Sequence, residues 1–346
     1  MQRMRPVPTE GSGSARQAAR LAWGVLGCAA IARNRLIPAI RGSRNGRVLA
    51  VASRDLDRAR AAAGEAGIPR AYSSYEALLS DPDIEAVYLP LPNSLHREWT
   101  LRAAEAGKHV LCEKPLAVTA AEAEDMRDAC RAHGVLLMEG FMYRFHPRVQ
   151  EAVRLARDGT IGALRLVRAS FSSLQTAPGN IRMQPALGGG AILDSACYGV
   201  NVCRMILGEP THVAGVATWW PGGIAATVIG TLTFSGDAVG VIDASLAMAA
   251  QRAFEIVGTD GVIAVHYGPR PGWGTPSLAV RSPRYASPSG RLPTGNHYRL
   301  MVESFADAVL GKAPLAFPPE DSLANMRVLD ALRTAVLPAP PRDAVR

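Results

Sequence analysis

Two short segments of this chain carry residue types at spacings suited to chemistry. In Gly27-Cys28-Ala29-Ala30-Ile31-Ala32, small residues stand where an apolar strand is expected to turn into a helix. Gly27 permits the tight turn, and Ala29 and Ala32 replace the second and third glycines of a GxGxxG fingerprint. Backbone N–H groups at the helix start, aided by its dipole, can receive a pyrophosphate there. The second segment opens with Gly188-Gly189-Gly190 and continues into a helix bearing Asp194 and Tyr198. Four residues apart, the two side chains share one helix face. The alternative for that pair is an exposed face with no catalytic role.

The elements around these segments read as a mononucleotide-binding series. Leu21–Gly27 is expected as a strand, Ile31–Ile40 as a helix and Arg47–Ser53 as a second strand. Asp55–Ala66, Ser94–Ala106 and Thr119–His133 read as helices, alternating with strands at Ile84–Leu89, His109–Cys112 and Val135–Glu139. Continuous apolar strands in β-α-β-α order indicate a parallel sheet covered on both faces. Ligands of such sheets sit at the carboxyl ends of strands. That places Leu89, Pro90, Asn93, His96 and Glu113 beside the Gly27–Ile31 turn. The plain alternatives are His96 bonded to backbone at a helix start and Glu113 only capping the next segment. After the second strand an acidic residue usually holds the ribose hydroxyls of NAD, whereas here Ser53-Arg54 follows. A hydroxyl and a guanidinium suit a 2′-phosphate, so NADP(H) is expected in preference to NAD(H). The alternative keeps Arg54 on the surface and turns Asp55 to the ribose.

Beyond about residue 146 the rhythm changes. Longer alternating strands are expected at Leu164–Ser172, His212–Trp220, Ala226–Phe234, Val239–Leu246, Ala253–Val257 and Val262–Tyr267, with one helix, Ala191–Leu207, among them. Residues 268–297 read as a long loop, and Tyr298–Leu310 and Glu320–Val336 as closing helices. The expected organisation is a tail over 1–20, a dinucleotide-binding Rossmann domain over 21–145, an α+β domain with a large, open, mostly antiparallel sheet over 146–336, and a tail over 337–346.

The chain has 346 residues, 48% of them hydrophobic and 20% charged, enough for buried cores in two domains. The net charge of +8 is carried by scattered arginines without interleaved aromatics, which argues against nucleic acid. Five cysteines without CxxC spacing indicate free thiols in a reducing, cytoplasmic setting. His133, His212, His266 and His297 show no metal spacing, so no metal is expected. Arginines before Leu21–Cys28 also look like a lipoprotein signal, but the apolar run is short and is better used as the first strand. No later run suits a membrane span.

Trp23-Gly24-Val25-Leu26-Gly27-Cys28, Leu89-Pro90-Leu91-Pro92-Asn93-Ser94-Leu95-His96, Glu113-Lys114-Pro115 and Gly188–Tyr198 together resemble the glucose–fructose oxidoreductase, inositol dehydrogenase and MocA family, over roughly residues 21–336. The resemblance implies hydride transfer between a nicotinamide and a secondary alcohol or ketone of a sugar, a nucleotide-linked sugar or a cyclic diol. It implies a homodimer or homotetramer built by sheet packing. Ala196 stands where many members have glycine, and Tyr198 where inositol dehydrogenases have histidine, which makes inositol a poorer substrate.

Hydride transfer needs a proton donor or acceptor at the substrate oxygen. Tyr198 is the expected group, with Lys114 lowering its pKa; Lys114 transferring the proton itself is the alternative. Asp194 would bond the substrate or fix Lys114. The resemblance adds a cis bond before Pro115 that aims Lys114 into the cleft. Tyr143 and Arg144, in the segment joining the domains, and Arg182, before the glycine turn, are the candidate substrate contacts. Core packing or surface pairing is the alternative for each. Trp219, Trp220 and Trp273 are a candidate wall against a sugar face, with plain packing as the alternative. A non-catalytic dinucleotide sensor of the same fold is the rival reading.

Overall fold

The computed structural model describes residues 20–337, apart from 178, 268–274 and 286–293. Both expected tails lie outside the described residues, except Arg20, which donates to the Ser43 and Gly46 carbonyls, and Leu337.

The first half forms a six-stranded parallel sheet in the order β3-β2-β1-β4-β5-β6. Its strands are β1 (Leu21–Leu26), β2 (Gly46–Ala52), β3 (Arg70–Tyr72), β4 (Ala86–Leu89), β5 (His109–Cys112) and β6 (Leu137–Glu139). Every residue of β1 and β4 is buried, as expected of central strands covered on both faces. The apolar run before Cys28 is therefore a core strand. The helices are α1 (Ile37–Arg41), α2 (Leu56–Ala66), α3 (Tyr75–Leu79), α4 (His96–Glu105) and α5 (Ala120–Ala132). Asp55 and Thr119 cap α2 and α5 with their side chains. Two short elements, β3 and α3, were outside the sequence expectation because neither is long enough to show a period.

The second half is a seven-stranded mixed sheet in the order β13-β12-β11-β7-β10-β9-β8. It comprises β7 (Leu164–Leu174), β8 (Pro210–Trp220), β9 (Ile224–Phe234), β10 (Val239–Ser245), β11 (Ala247–Gly258), β12 (Val262–His266) and β13 (Ser277–Arg281). Among the described residues of this half only the β7–β10 pair is parallel. Strand β13 corrects the reading of 268–297 as loop: Ser277-Leu278-Ala279-Val280-Arg281 alternates and pairs with β12 as an edge. Helix α6 (Pro147–Arg157), also unexpected from sequence, begins where the His146 side chain accepts from Arg148 N and Pro147 occupies the first turn. Helix α7 (Cys197–Leu207) packs on β7 and β10, while α9 (Pro319–Val336) packs on β8 and α5.

Helix α8 (His297–Val309) returns to the first sheet. Phe305 meets Trp23 of β1 at 5.4 Å between ring centroids, both side chains fully buried. Asn45 donates to the Glu303 carbonyl and Asp307 at 2.8 Å. No helix among the described residues is long and apolar enough to cross a membrane.

Both helices nearest the junction of the halves open with a wide π-type turn, Ala32–Leu36 before α1 and Ile192–Ala196 before α7. Such turns are frequent where a helix serves a site. The Lys114-Pro115 bond between β5 and α5 is cis. The same turn is held by Glu139 at the end of β6, whose Oε1 accepts from Leu116 N at 2.9 Å. Glu139 is 2% exposed, and burial pushes its carboxyl up to about 8, against the bonds from Ser322 and Leu116. Folding thus takes up a proton between the unfolded carboxyl value, about 4.3, and about 8. Stability is expected to fall as pH rises through that window and to level off above it. Urea unfolding of Glu139→Gln across the window should lose this slope. An unchanged slope would assign it to another group.

Candidate active site

A cleft of about 480 Å³ opens between the carboxyl ends of the first sheet and the β7–β11 side of the second. The Gly27–Ile31 turn forms one wall. Gly27 has φ of +113°, and a Cβ there would come within 3.1 Å of Leu91, so glycine suits both the backbone and the close approach. Ala29, Ala30 and Ile31 line the cleft. This narrow cradle of small residues at a helix start fits a dinucleotide pyrophosphate. Cys28 is 6% exposed, and its thiol faces the Arg58 carbonyl rather than the cleft.

At the end of β2, Ser53 Oγ accepts from Asp55 N at 3.2 Å. Asp55 Oδ1 accepts from Asp57 N and Arg58 N at 3.0 and 3.1 Å, so this carboxylate is committed to capping α2. Arg54 is exposed, close enough to Tyr75 to act on its phenol.

Pro90, Asn93, Glu113 and Lys114 line the cleft from the following strands. Asn93 Nδ2 donates to the Gly188 carbonyl at 2.8 Å and ties the two halves together. Glu113 accepts from Tyr88 Oη at 2.6 Å, and burial pushes its carboxyl up despite that bond and Lys114. Leu89 is buried inside β4 and makes no part of the cleft wall. His96 is also beneath it. Its ring is fully buried, with Nδ1 2.9 Å from the Pro115 carbonyl and Nε2 2.9 Å from the Leu91 carbonyl. The ring therefore packs between two loops that touch the cleft and is bonded to backbone, as the alternative reading held.

The charged centre is Asp194. Lys114 Nζ donates to the Asp194 carbonyl at 2.8 Å and to its Oδ1 at 3.2 Å, and Arg182 Nε lies 2.9 Å from the same Oδ1. Burial opposes ionisation of Asp194, but the ammonium and the guanidinium outweigh it and hold the carboxyl below the usual range. Burial likewise disfavours the Lys114 ammonium, and Asp194 more than compensates, so its pKa rises. The glycine turn makes this contact possible. Gly190 N donates to the Arg182 carbonyl at 2.8 Å, and a Cβ at Gly189 would fall 2.5 Å from that oxygen.

Tyr198 lines the cleft beside this pair. The Lys114 ammonium sits over the ring face, 4.7 Å from its centroid, and Phe171 stacks on the ring at 5.1 Å. The expectation that Lys114 lowers the phenol pKa is corrected here. Burial, followed by Cys197, Tyr298, Glu113 and Asp194, pushes it well up. At neutral pH the site presents a phenol and an ammonium, both carrying protons.

Two expected substrate contacts lie elsewhere. Tyr143 is fully buried behind Tyr198, its ring 5.9 Å away and its hydroxyl donating to Asn201 Oδ1 at 2.6 Å. Arg144 pairs with Asp321 and lies over the Phe317 ring at 3.6 Å. Each is engaged within the packing between halves rather than with the cleft. Trp219 and Trp220 are half-buried in β8, away from the cleft, and Trp273 lies outside the described residues. Conversely, Arg35, Gln175, Gln251, Arg252 and Tyr298 line the cleft although no motif marks them. Their approach depends on how the second sheet and α8 meet the first half.

Comparison with known proteins agrees with this geometry. Residues 21–141 match the model of an oxidoreductase family with an NAD-binding Rossmann fold, and residues 149–264 match the GFO/IDH/MocA C-terminal domain. The NADP(+) D-xylose 1-dehydrogenase 2 of Haloferax volcanii is 39% identical over 90% of this chain and 95% of its own. The dTDP-3,4-didehydro-2,6-dideoxy-alpha-D-glucose 3-reductase of Actinomadura kijaniata is 34% identical over 90% and 94%. Among solved structures, an aldose-aldose oxidoreductase from Caulobacter crescentus complexed with glycerol superposes with a TM-score of 0.84 at 27% identity, covering 91% of this chain and 97% of that one. A 3-ketoreductase from Actinomadura kijaniata with NADP and TDP-benzene gives 0.83 at 32% identity, covering 92% and 98%. With both halves matched in order, this chain belongs to the Gfo/Idh/MocA family of oxidoreductases.

Proposed function

We propose that the chain is an NADP(H)-dependent enzyme acting on a secondary alcohol or ketone of a sugar, a nucleotide-linked sugar or a cyclic diol. The observation that carries this reading is the protonated pair, Lys114 over Tyr198, fixed by Asp194 across the cleft from the Gly27–Ile31 cradle. When bound, the dinucleotide supplies or accepts the hydride. The chain's own residues handle the oxygen. Two N–H bonds of Lys114 are committed to Asp194, and the third is available to a substrate oxygen. The Tyr198 hydroxyl delivers the proton to a carbonyl oxygen as it becomes an alcohol, and takes it back in the other direction. Arg182 keeps Asp194 ionised and so keeps Lys114 in place. Two groups raised in pKa favour ketone reduction near neutral pH, where each enters as the acid. A non-catalytic sensor would have no need of this arrangement.

Ser53 and Arg54 support NADP(H), because Asp55 is spent on the helix cap. The relatives named for NADP point the same way. Fluorescence titration should find NADPH bound more tightly than NADH, with Arg54→Ala weakening NADPH by about 10- to 100-fold and leaving NADH unchanged. Tighter NADH binding would overturn the cofactor choice.

Tyr198→Phe should lower kcat by about 10²- to 10⁴-fold with little change in KM. Steady-state kinetics that leave kcat near wild type would move the proton to Lys114.

Five buried free thiols support a reducing, cytoplasmic setting. Val216 and Ile229, paired across β8 and β9, are 66% and 47% exposed, an apolar centre suited to a second copy in a homodimer or homotetramer. Light scattering of a monomer at micromolar concentration would sink that assembly.

A further inference from the structure

One end of the cleft carries polar side chains that the proton transfer does not use. Phe171 and Ser173 are alternate residues of β7 and share a face of the sheet. Phe171 stacks on the Tyr198 ring, and Ser173 follows about 6.5 Å further along the strand. Both line the cleft, as does Gln175, just beyond the strand end.

Ser173, Gln175 and Asn180 form a hydrogen-bonded row whose direction is set from outside the cleft. The backbone N–H of Arg182 can only donate, and Asn180 Oδ1 accepts it at 3.0 Å. The Asn180 amide nitrogen is thereby turned to Gln175, and Nδ2 donates to Gln175 Oε1 at 2.8 Å. That bond in turn orients the Gln175 carboxamide, whose Nε2 donates to Ser173 Oγ at 2.9 Å. Each amide orientation follows from the one before it, back to a peptide N–H that has no second role to play. Ser173 Oγ thus receives a hydrogen bond, and its own hydrogen meets no acceptor among the described residues. The row ends in an O–H donor at the cleft wall.

The row and the charged centre share one segment. Asn180 caps the short turn Ile181–Met183, and Arg182 within that turn places its Nε 2.9 Å from Asp194 Oδ1. One turn therefore carries both the ion pair that holds Lys114 and the N–H that sets the sense of the row.

We infer that Ser173 is a specificity-determining residue of the reaction: its hydroxyl donates to an acceptor oxygen of the substrate remote from the carbon that exchanges hydride, and Gln175 and Asn180 hold it in that sense. This rests on the oxidoreductase reading and adds to it a residue and a direction. A ring ether or a hydroxyl oxygen at that position is bound, and a deoxy position there is discriminated against.

Crystals of the NADP⁺ complex soaked in glycerol read the contact directly. A glycerol oxygen is expected within about 3 Å of Ser173 Oγ, and it should leave that position in Ser173→Ala. A cleft with no glycerol oxygen at Ser173 overturns the inference, whether or not a sugar is turned over. Steady-state oxidation of D-glucose and D-xylose with NADP⁺ reads the consequence. Ser173→Ala should raise KM by about 3- to 10-fold, with kcat moving far less. Asn180→Asp still accepts from Arg182 N but offers Gln175 no donor, so the carboxamide flips and Ser173 donates to it instead of to the cleft. That variant should match Ser173→Ala, and the double variant should be no worse than either. A wild-type KM in Asn180→Asp, or losses that multiply in the double variant, overturn the donor role. Turnover of neither aldose leaves the crystal to decide, whereas a protein that binds no NADP⁺ fails at the earlier reading.

Discussion

The Asp194 carboxylate is the constraint around which the site is arranged. It is nearly buried, 16% exposed, and it faces Lys114 from the first half and Arg182 from the turn before the glycines. A carboxylate taken out of water at that depth is stable only when paired and hydrogen-bonded. Here two cations share one oxygen, and the charges hold each other in ionised form. The same contact joins the two halves of the molecule across the cleft, so the geometry of Lys114 and Tyr198 depends on how the halves dock.

Around this centre, buried polar groups hold the loops that carry it. His96 stands between the Pro115 and Leu91 carbonyls, and Glu139 accepts from Leu116 N. Together they hold the carbonyl and the N–H of the peptide that directly follows the cis bond, between Pro115 and Leu116. Burial favours the neutral imidazole of His96, so one ring nitrogen donates and the other does not. Tyr143 serves from the other side, packing behind Tyr198 and anchoring to Asn201. These residues do not line the cleft, yet they fix the orientation of Lys114 and Tyr198, on which the proposed proton transfer would depend.

Most of the fold was legible because its signals are local. Apolar runs at β1, β4 and β5, helix caps at Asp55 and Thr119, and glycines with positive φ such as Gly27 each report their own neighbourhood. The alternation in β9, buried and exposed in turn, likewise marks a sheet with one open face. Elements without such a signal escaped: β3 is three residues long, and β13 is an edge strand set among Pro, Gly and Ser.

The chain's own order of residues determined the mononucleotide series, the small-residue turn Gly27–Ile31, the Ser53-Arg54 pair after β2 and the Asp194–Tyr198 spacing. Each depends on neighbours within a turn or a strand, where backbone geometry leaves few choices. Tertiary structure alone decided that Lys114 lies over the face of Tyr198, that burial keeps this phenol protonated, and that Tyr143, Arg144 and His96 are packing rather than lining. It also brought Arg35, Arg252 and Tyr298 to one cleft from three distant segments. Exposure and electrostatic environment are properties of the assembled walls, and no local pattern records which walls will meet.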